Sequence, residues 1–106
     1  MTEQEFQAEA AAFITRVARW VDRVNDDGLD VTTSDGLLAL EFDDGSKYVL
    51  NRQSGNHQMW FAAGARAWHY DWNGREWLDD RDGHPLRARV VEVVTTKLGH
   101  AIPAID

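Results

Sequence analysis

The chain has 106 residues, a formal net charge of -7 at pH 7, a sequence pI of about 4.9 and no cysteine. This length accommodates one compact domain and excludes two, and the negative charge opposes binding to nucleic-acid phosphates. The missing thiols exclude disulfides, thiolate metal sites and cysteine nucleophiles. We therefore expect one domain over residues 1–106 that does not bind nucleic acid.

The N-terminal segment has the pattern of an amphipathic helix. Thr2 followed by Glu5 matches a capping box, in which each side chain accepts a hydrogen bond from the main-chain N–H of the other residue. Gly28 predicts the helix end, because glycine readily adopts the left-handed conformation of a C-cap. Apolar residues recur at spacings of three and four along one face: Phe6, Ala10, Phe13, Val17, Val21 and Val24.

Residues 29–78 change to a period of two, which is typical of β-strands. Leu38, Leu40 and Phe42 alternate with less apolar neighbours, and the following Asp44-Gly45 pair is a hairpin signal. Further turn signals are Ser54-Gly55-Asn56, Gly64 and Asn73-Gly74. The pattern predicts an antiparallel meander whose later strands cover residues 47–53, 57–62, 67–72 and 75–78.

The C-terminal segment predicts a second helix. Pro85 fits its first turn, because that turn leaves the main-chain N–H groups unpaired, and Gly99 fits its end. The order helix, strands, helix predicts an α+β fold, a two-layer sandwich with both helices on one face of the sheet. The apolar face of the second helix consists of Leu86, Val90, Val93, Val94 and Leu98.

Strand alternation assigns side chains to the two faces of the predicted sheet. If Leu50 and Met59 face the core, then the outward side chains include Asn51, Gln53, Gln58 and Trp60. An exposed tryptophan beside amides is a good recognition surface, since it offers apolar area together with hydrogen-bonding groups. The alternative is that Trp60 only stiffens the sheet through cross-strand contacts.

Three blocks of sequence define the middle of the chain: Asp44-Gly45-Ser46-Lys47, Asn51-Arg52-Gln53 and His57-Gln58-Met59-Trp60. In order and spacing they resemble the central signature of the frataxin family, in its bacterial CyaY-type branch. Further matches are Glu5-Phe6, Trp68-His69-Tyr70, Asn73-Gly74 and Trp77, so the likeness covers nearly the whole chain. It implies the frataxin fold, two helices on an antiparallel sheet, in agreement with the periodicity.

The resemblance also implies a function. It implies an iron-binding accessory protein, not an enzyme, that docks on the cysteine desulfurase and the scaffold protein of iron–sulfur cluster assembly. The family's exposed sheet motif matches Asn51, Gln53, Gln58 and Trp60, which are therefore the expected partner contacts. Arg52 matches as well, but strand alternation turns it toward the helices, where we expect a structural role. We expect a monomer, with metal-dependent oligomers as the alternative.

Frataxins carry an acidic ridge along the end of the first helix and the first strand, and the resemblance implies that this ridge binds iron. In this chain the region offers Asp22, Asp26, Asp27 and Asp30, here called the acidic edge. Carboxylates suit iron as Fe²⁺ or Fe³⁺ and also Mg²⁺, Ca²⁺ or Mn²⁺. A few surface carboxylates predict a weak, exchangeable site rather than a closed cage.

Arginines on the first helix provide an alternative interpretation of the acidic edge. Arg19 precedes Asp22 by three residues, and Arg23 precedes Asp26 by three and Asp27 by four. Helical side chains at these spacings can meet. The carboxylates would then belong to ordinary surface ion pairs, each worth roughly 0.3–0.5 kcal/mol.

The histidines give weaker indications of a metal site. His57 and His69 could join an iron site if their strands are neighbours. His84 and His100 flank the second helix, and the pattern assigns them no role.

Two other function classes serve as alternatives. A hydrolase needs a nucleophile paired with a base in a pocket, but Ser34, Ser46 and Ser54 all fall in predicted turns. A generic binding module would use the sheet face around Trp60 for a carbohydrate.

The acidic start at residues 1–5 lacks the features of a targeting sequence, and no apolar run is long enough to span a bilayer. We therefore expect a cytoplasmic protein that does not enter membranes.

Overall fold

Two helices enclose six strands along the chain. The computed structural model describes residues 1–106. The strands form one antiparallel sheet in sequence order, so the predicted α+β meander is confirmed. The elements are α1 (Glu3–Val24), β1 (Leu29–Ser34), β2 (Leu37–Phe42), β3 (Lys47–Gln53), β4 (Gln58–Ala63), β5 (Arg66–Trp72), β6 (Trp77–Asp79) and α2 (Leu86–Leu98).

Helix α1 begins as predicted and ends earlier than predicted. The Glu5 main-chain N–H donates to Thr2 Oγ1 at 3.0 Å, and the Thr2 N–H donates to Glu5 Oε1 at 2.9 Å, which confirms the capping box. The predicted end at Gly28 is wrong, because Asn25 adopts the left-handed C-cap conformation with φ 51°. Asparagine tolerates this conformation better than most residues, so the helix stops after Val24.

The core lies between the helices and one face of the sheet. The predicted apolar face of α1 is buried except for Val24, which is half-buried, and the structure adds Ile14 and Trp20 to it. Trp20 Nε1 donates to the Pro103 carbonyl oxygen at 2.6 Å, and Ile105 is 3% exposed within the core. The segment after α2 therefore packs back against α1, a contact that the sequence pattern does not predict.

Helix α2 forms a buried ion pair with strand β6. Pro85 is the N-cap rather than a first-turn residue, with ψ 138°, so the predicted position is wrong by one residue. One turn later, Arg89 Nη2 lies 3.3 Å from Asp79 Oδ2 of β6 and 3.2 Å from Asp82 Oδ2. Arg89 also packs over the Trp68 ring, with its guanidinium carbon 4.9 Å from the ring centroid. These contacts tie α2 to the sheet through charge as well as through apolar packing.

Candidate functional site

The structure brings the four carboxylates of the acidic edge around one open depression. Asp22 lies near the end of α1, Asp26 and Asp27 lie in the following loop, and Asp30 lies on β1. Asp22, Asp27 and Asp30 are exposed, and Asp26 is half-buried. The short turn between α1 and β1 is what places a helix end and a strand start beside each other.

The ion pairs expected within α1 do not form. Arg23 instead donates through Nη1 to Asp106 Oδ2 at 2.5 Å and through Nη2 to the Ala104 carbonyl oxygen, and Arg19 makes no ion pair. The alternative in which Arg19 and Arg23 compensate the acidic edge is therefore wrong, because Arg23 pairs with the C-terminal segment and Arg19 has no carboxylate partner. Within the acidic edge, the carboxylates that keep no ion pair and no side-chain hydrogen bond are therefore Asp22, Asp27 and Asp30.

Two basic side chains at the C-terminal end of α2 and just after it contact two other carboxylates, Asp26 and Asp44. His100 Nε2 lies 2.6 Å from Asp26 Oδ2, and Lys97 Nζ lies 2.5 Å from Asp44 Oδ2. The His100 contact lowers the pKa of Asp26, and the Asp26 contact raises the pKa of His100. His100 is thus a member of the site, and its interpretation as a residue without a role is wrong.

Gly28 lets a further carboxylate approach the acidic edge. A Cβ on Gly28 would lie 3.2 Å from both Asp26 Oδ1 and Asp43 Oδ2, so these two carboxylates converge over the bare glycine. Nevertheless, no group of three or more His, Cys, Asp or Glu side chains is close enough to hold a metal ion in the present arrangement. The oxygen donors suit hard cations, but they would have to move together to coordinate one.

The contact between His100 and Asp26 predicts a titration that NMR can measure. We expect the pKa of His100 to lie above its ordinary value of 6.5 and to return toward that value in Asp26→Asn. The raised pKa means that the contact stabilises the fold below about pH 6.5 and loses this effect as pH rises through the folded-state pKa. The lowered pKa of Asp26 removes the effect again as pH falls below about 3.9. Asp27→Asn is the control, and an equal change of the His100 titration there would contradict the assignment.

The outer face of the sheet presents two rows of paired residues. Asn51, Trp60 and His69 are directly opposite one another on β3, β4 and β5. The next row joins Gln53 to Gln58 and Gln58 to Asp71. Leu50 and Met59 are buried on the opposite face, so the predicted outward direction of Asn51, Gln53, Gln58 and Trp60 is confirmed.

Trp60 is half-buried by its neighbours on this face. Its ring stacks on the His69 ring with centroids 4.4 Å apart, and its Nε1 donates to Gln58 Oε1 at 3.0 Å. Gln58 Nε2 in turn donates to Asp71 Oδ1 at 3.0 Å and to Asp80 Oδ2 at 3.2 Å. These contacts fix the indole in one orientation while leaving part of it open to solvent.

Arg52 points to the helix side, as predicted. Its guanidinium forms two hydrogen bonds with the Asp35 carboxylate, at 3.1 and 3.0 Å. Gly36 has φ +73°, and a Cβ there would lie 2.6 Å from Arg52 Nε, so glycine is strongly favoured in this turn. Arg52 therefore supports the turn between β1 and β2 and does not belong to the outer face.

The histidines outside the acidic edge serve separate contacts. His57 stacks on Phe6 of α1 with ring centroids 4.9 Å apart and lies 2.9 Å from Glu3, whereas His69 lies on the outer face. The alternative in which His57 and His69 join one iron site is therefore wrong, because the two rings have different neighbours. His84 Nε2 lies 2.8 Å from Glu92 Oε2 and so secures the start of α2.

Comparison with known proteins assigns the family. Residues 1–100 match the model of the frataxin-like domain. The chain belongs to the frataxin-like family. It is 32% identical over 102 residues to a relative from Aeromonas salmonicida named iron-sulfur cluster assembly protein CyaY, across 96% of this chain and 97% of the relative. The sequence resemblance and the predicted family are thereby confirmed.

Solved frataxin structures share the fold. The frataxin from Psychromonas ingrahamii superposes with a TM-score of 0.89 at 26% identity and covers 96% of each chain. Trimeric frataxin from Saccharomyces cerevisiae, complexed with ferrous iron, gives a TM-score of 0.75 at 26% identity over 86% of each chain. The frataxin fold predicted from the sequence is therefore confirmed.

None of the helices in this frataxin is both long and apolar enough to cross a membrane.

Proposed function

We propose that this frataxin is a cytoplasmic, iron-binding accessory protein of iron–sulfur cluster assembly and is not itself an enzyme. In this proposal the acidic edge binds iron, and the outer sheet face docks on the cysteine desulfurase and its scaffold protein. The observation that carries it is the set of three partnerless carboxylates, Asp22, Asp27 and Asp30, around one depression of a frataxin fold. The names of the bacterial relatives and the ferrous complex of yeast frataxin support it.

The geometry supports weak, exchangeable iron binding. The three partnerless carboxylates are exposed, so water screens their attraction for a cation and the binding is weak. Their mutual repulsion is also relieved by a bound cation, which favours binding to the folded chain. Since the donors are not prearranged, other divalent cations that accept oxygen ligands are expected to compete with iron.

Iron titration followed by main-chain amide NMR tests the site. We expect saturable changes confined to residues 22–30 and the adjacent turn at Asp43. The triple variant Asp22→Asn, Asp27→Asn, Asp30→Asn should weaken iron binding by at least about tenfold, because charge-assisted contacts contribute roughly 1.5–3 kcal/mol each. This variant leaves the contact between Asp26 and His100 in place, so the fold should be retained.

A matched control separates local coordination from overall charge. Glu9→Gln, Asp71→Asn, Asp80→Asn removes three negative charges elsewhere and should leave iron affinity nearly unchanged. Equal weakening in both triple variants would show that only the net charge of the chain attracts the metal. Amide changes centred on His57 or His69 would show that iron binds there and not at the acidic edge.

A further inference from the structure

Three arginines of this acidic protein converge on one cavity of about 280 Å³. Arg16 comes from α1, Arg75 from the turn between β5 and β6, and Arg87 from the first turn of α2. Glu76 is the single carboxylate in the lining. The cavity is therefore a local concentration of positive charge in a chain whose formal net charge is -7.

The arginines keep hydrogen-bonding capacity for a ligand. Arg75 makes no ion pair and no side-chain hydrogen bond, and it is exposed. Arg87 uses Nε to contact Glu76 Oε1 at 2.5 Å, which leaves the two Nη groups of its guanidinium. Arg16 donates through one Nη to the main-chain oxygen of Asp106. Guanidinium groups carry five N–H donors in a planar fork that matches phosphate or carboxylate oxygens.

Aromatic rings form the rest of the wall. Trp72 and Trp77 lie with ring centroids 5.2 Å apart at an interplanar angle of 53°, and Phe13 completes the lining. Trp77 is 3% exposed, whereas Trp72 is only half-buried and can accept a stacked ring. The volume of about 280 Å³ is near the lower end of small-molecule sites, roughly 300–1,000 Å³, which limits the ligand to about the size of one nucleotide.

We propose that this cavity binds a small anion that carries a flat ring, the shared chemistry of a nucleoside monophosphate and an aromatic carboxylate. The anionic group is held by Arg75 and Arg87, and the ring packs against Trp72. None of these residues lines the depression of the acidic edge, so the proposal stands apart from iron binding.

An NMR titration tests this proposal. It follows the indole N–H signals of Trp72 and Trp77 and the main-chain N–H signals of these tryptophans and Arg75, all of which line the cavity. The probes are AMP, salicylate, inorganic phosphate and adenosine, each at millimolar concentration. We expect AMP, salicylate or both to give saturable shifts. Phosphate lacks the ring and adenosine lacks the charge, so each should bind at least about tenfold more weakly. Binding of only one of the two ring-bearing anions would identify phosphate or carboxylate as the preferred group.

Arginine variants test the assignment. Arg75→Ala should weaken the binding by about tenfold or more, because a charge-assisted contact is lost. Arg81→Ala is the matched control, since Arg81 is exposed, makes no ion pair and lies outside this cavity. Absence of saturable shifts with both ring-bearing anions would overturn the proposal. So would equal affinity for inorganic phosphate or adenosine, or equal losses in the two arginine variants.

Discussion

Asp79→Ala is expected to lower the free energy of unfolding by about 3–5 kcal/mol, the usual cost of removing one partner from a buried ion pair. The Asp79 side chain is 3% exposed and accepts hydrogen bonds from Arg89 and from the Arg81 main-chain N–H at 2.8 Å. Its loss would leave the buried Arg89 with Asp82 alone, a carboxylate that is 60% exposed. A thermal or denaturant unfolding curve measures the effect.

Asp71→Ala provides the control for this prediction. Asp71 carries the same charge on the outer face of the same sheet region, but it is exposed. Its replacement should change the free energy of unfolding by no more than about 0.5 kcal/mol. A loss below about 1 kcal/mol for Asp79→Ala would contradict the view that this pair anchors α2 to the sheet.

Trp60→Ala is expected to weaken binding to the cysteine desulfurase or the scaffold by about 30-fold or more. Tryptophans at interface centres commonly contribute at least about 2 kcal/mol, and Trp60 is held ready by His69 and Gln58. The fold should lose only the stacking contribution of about 0.5–1.5 kcal/mol, because the ring lies outside the core. Binding is measured by titration of purified partner, and stability by thermal unfolding.

His69→Ala separates the two roles of Trp60. Both variants lose the stacked pair, whereas only Trp60→Ala removes the indole that a partner would cover. We therefore expect similar stability in the two variants and a much smaller loss of affinity in His69→Ala. A loss of about 3–5 kcal/mol in the free energy of unfolding of Trp60→Ala would show that the ring belongs to the core. Unchanged affinity of this variant for the desulfurase and the scaffold would show that Trp60 does not contact them.

The elements of this fold are predictable because their patterns are local. The spacing of apolar residues in α1 and α2 and the alternation in β3 and β4 depend on the backbone period alone. The same alternation places Trp60 outward and turns Arg52 toward the helices, as the structure confirms. The end of α1 is missed because Asn25 takes a conformation for which glycine is the stronger signal.

The sequence predicts which carboxylates lie at the acidic edge, but it does not predict which side chains pair with them. The sequence places Asp22, Asp26, Asp27 and Asp30 together because they are close along the chain. His100 joins Asp26 across 74 residues, and Arg23 joins Asp106 across 83. Such contacts follow from how the C-terminal segment packs on α1, which no local spacing encodes.

The amino-acid sequence is enough to predict the fold class and the outward sheet residues, because both follow from backbone periodicity. The family and the acidic edge follow instead from the resemblance of the sequence blocks in the middle of the chain to the frataxin signature. Which charges are neutralised, in contrast, depends on the tertiary structure. It assigned His100 and Lys97 to Asp26 and Asp44, buried Arg89 with Asp79, and left Asp22, Asp27 and Asp30 without partners. It also gathered arginines from two helices and a turn around one cavity. The physical reason is that side-chain charges act through space, over a few ångströms, and folding brings together residues that are far apart in the chain.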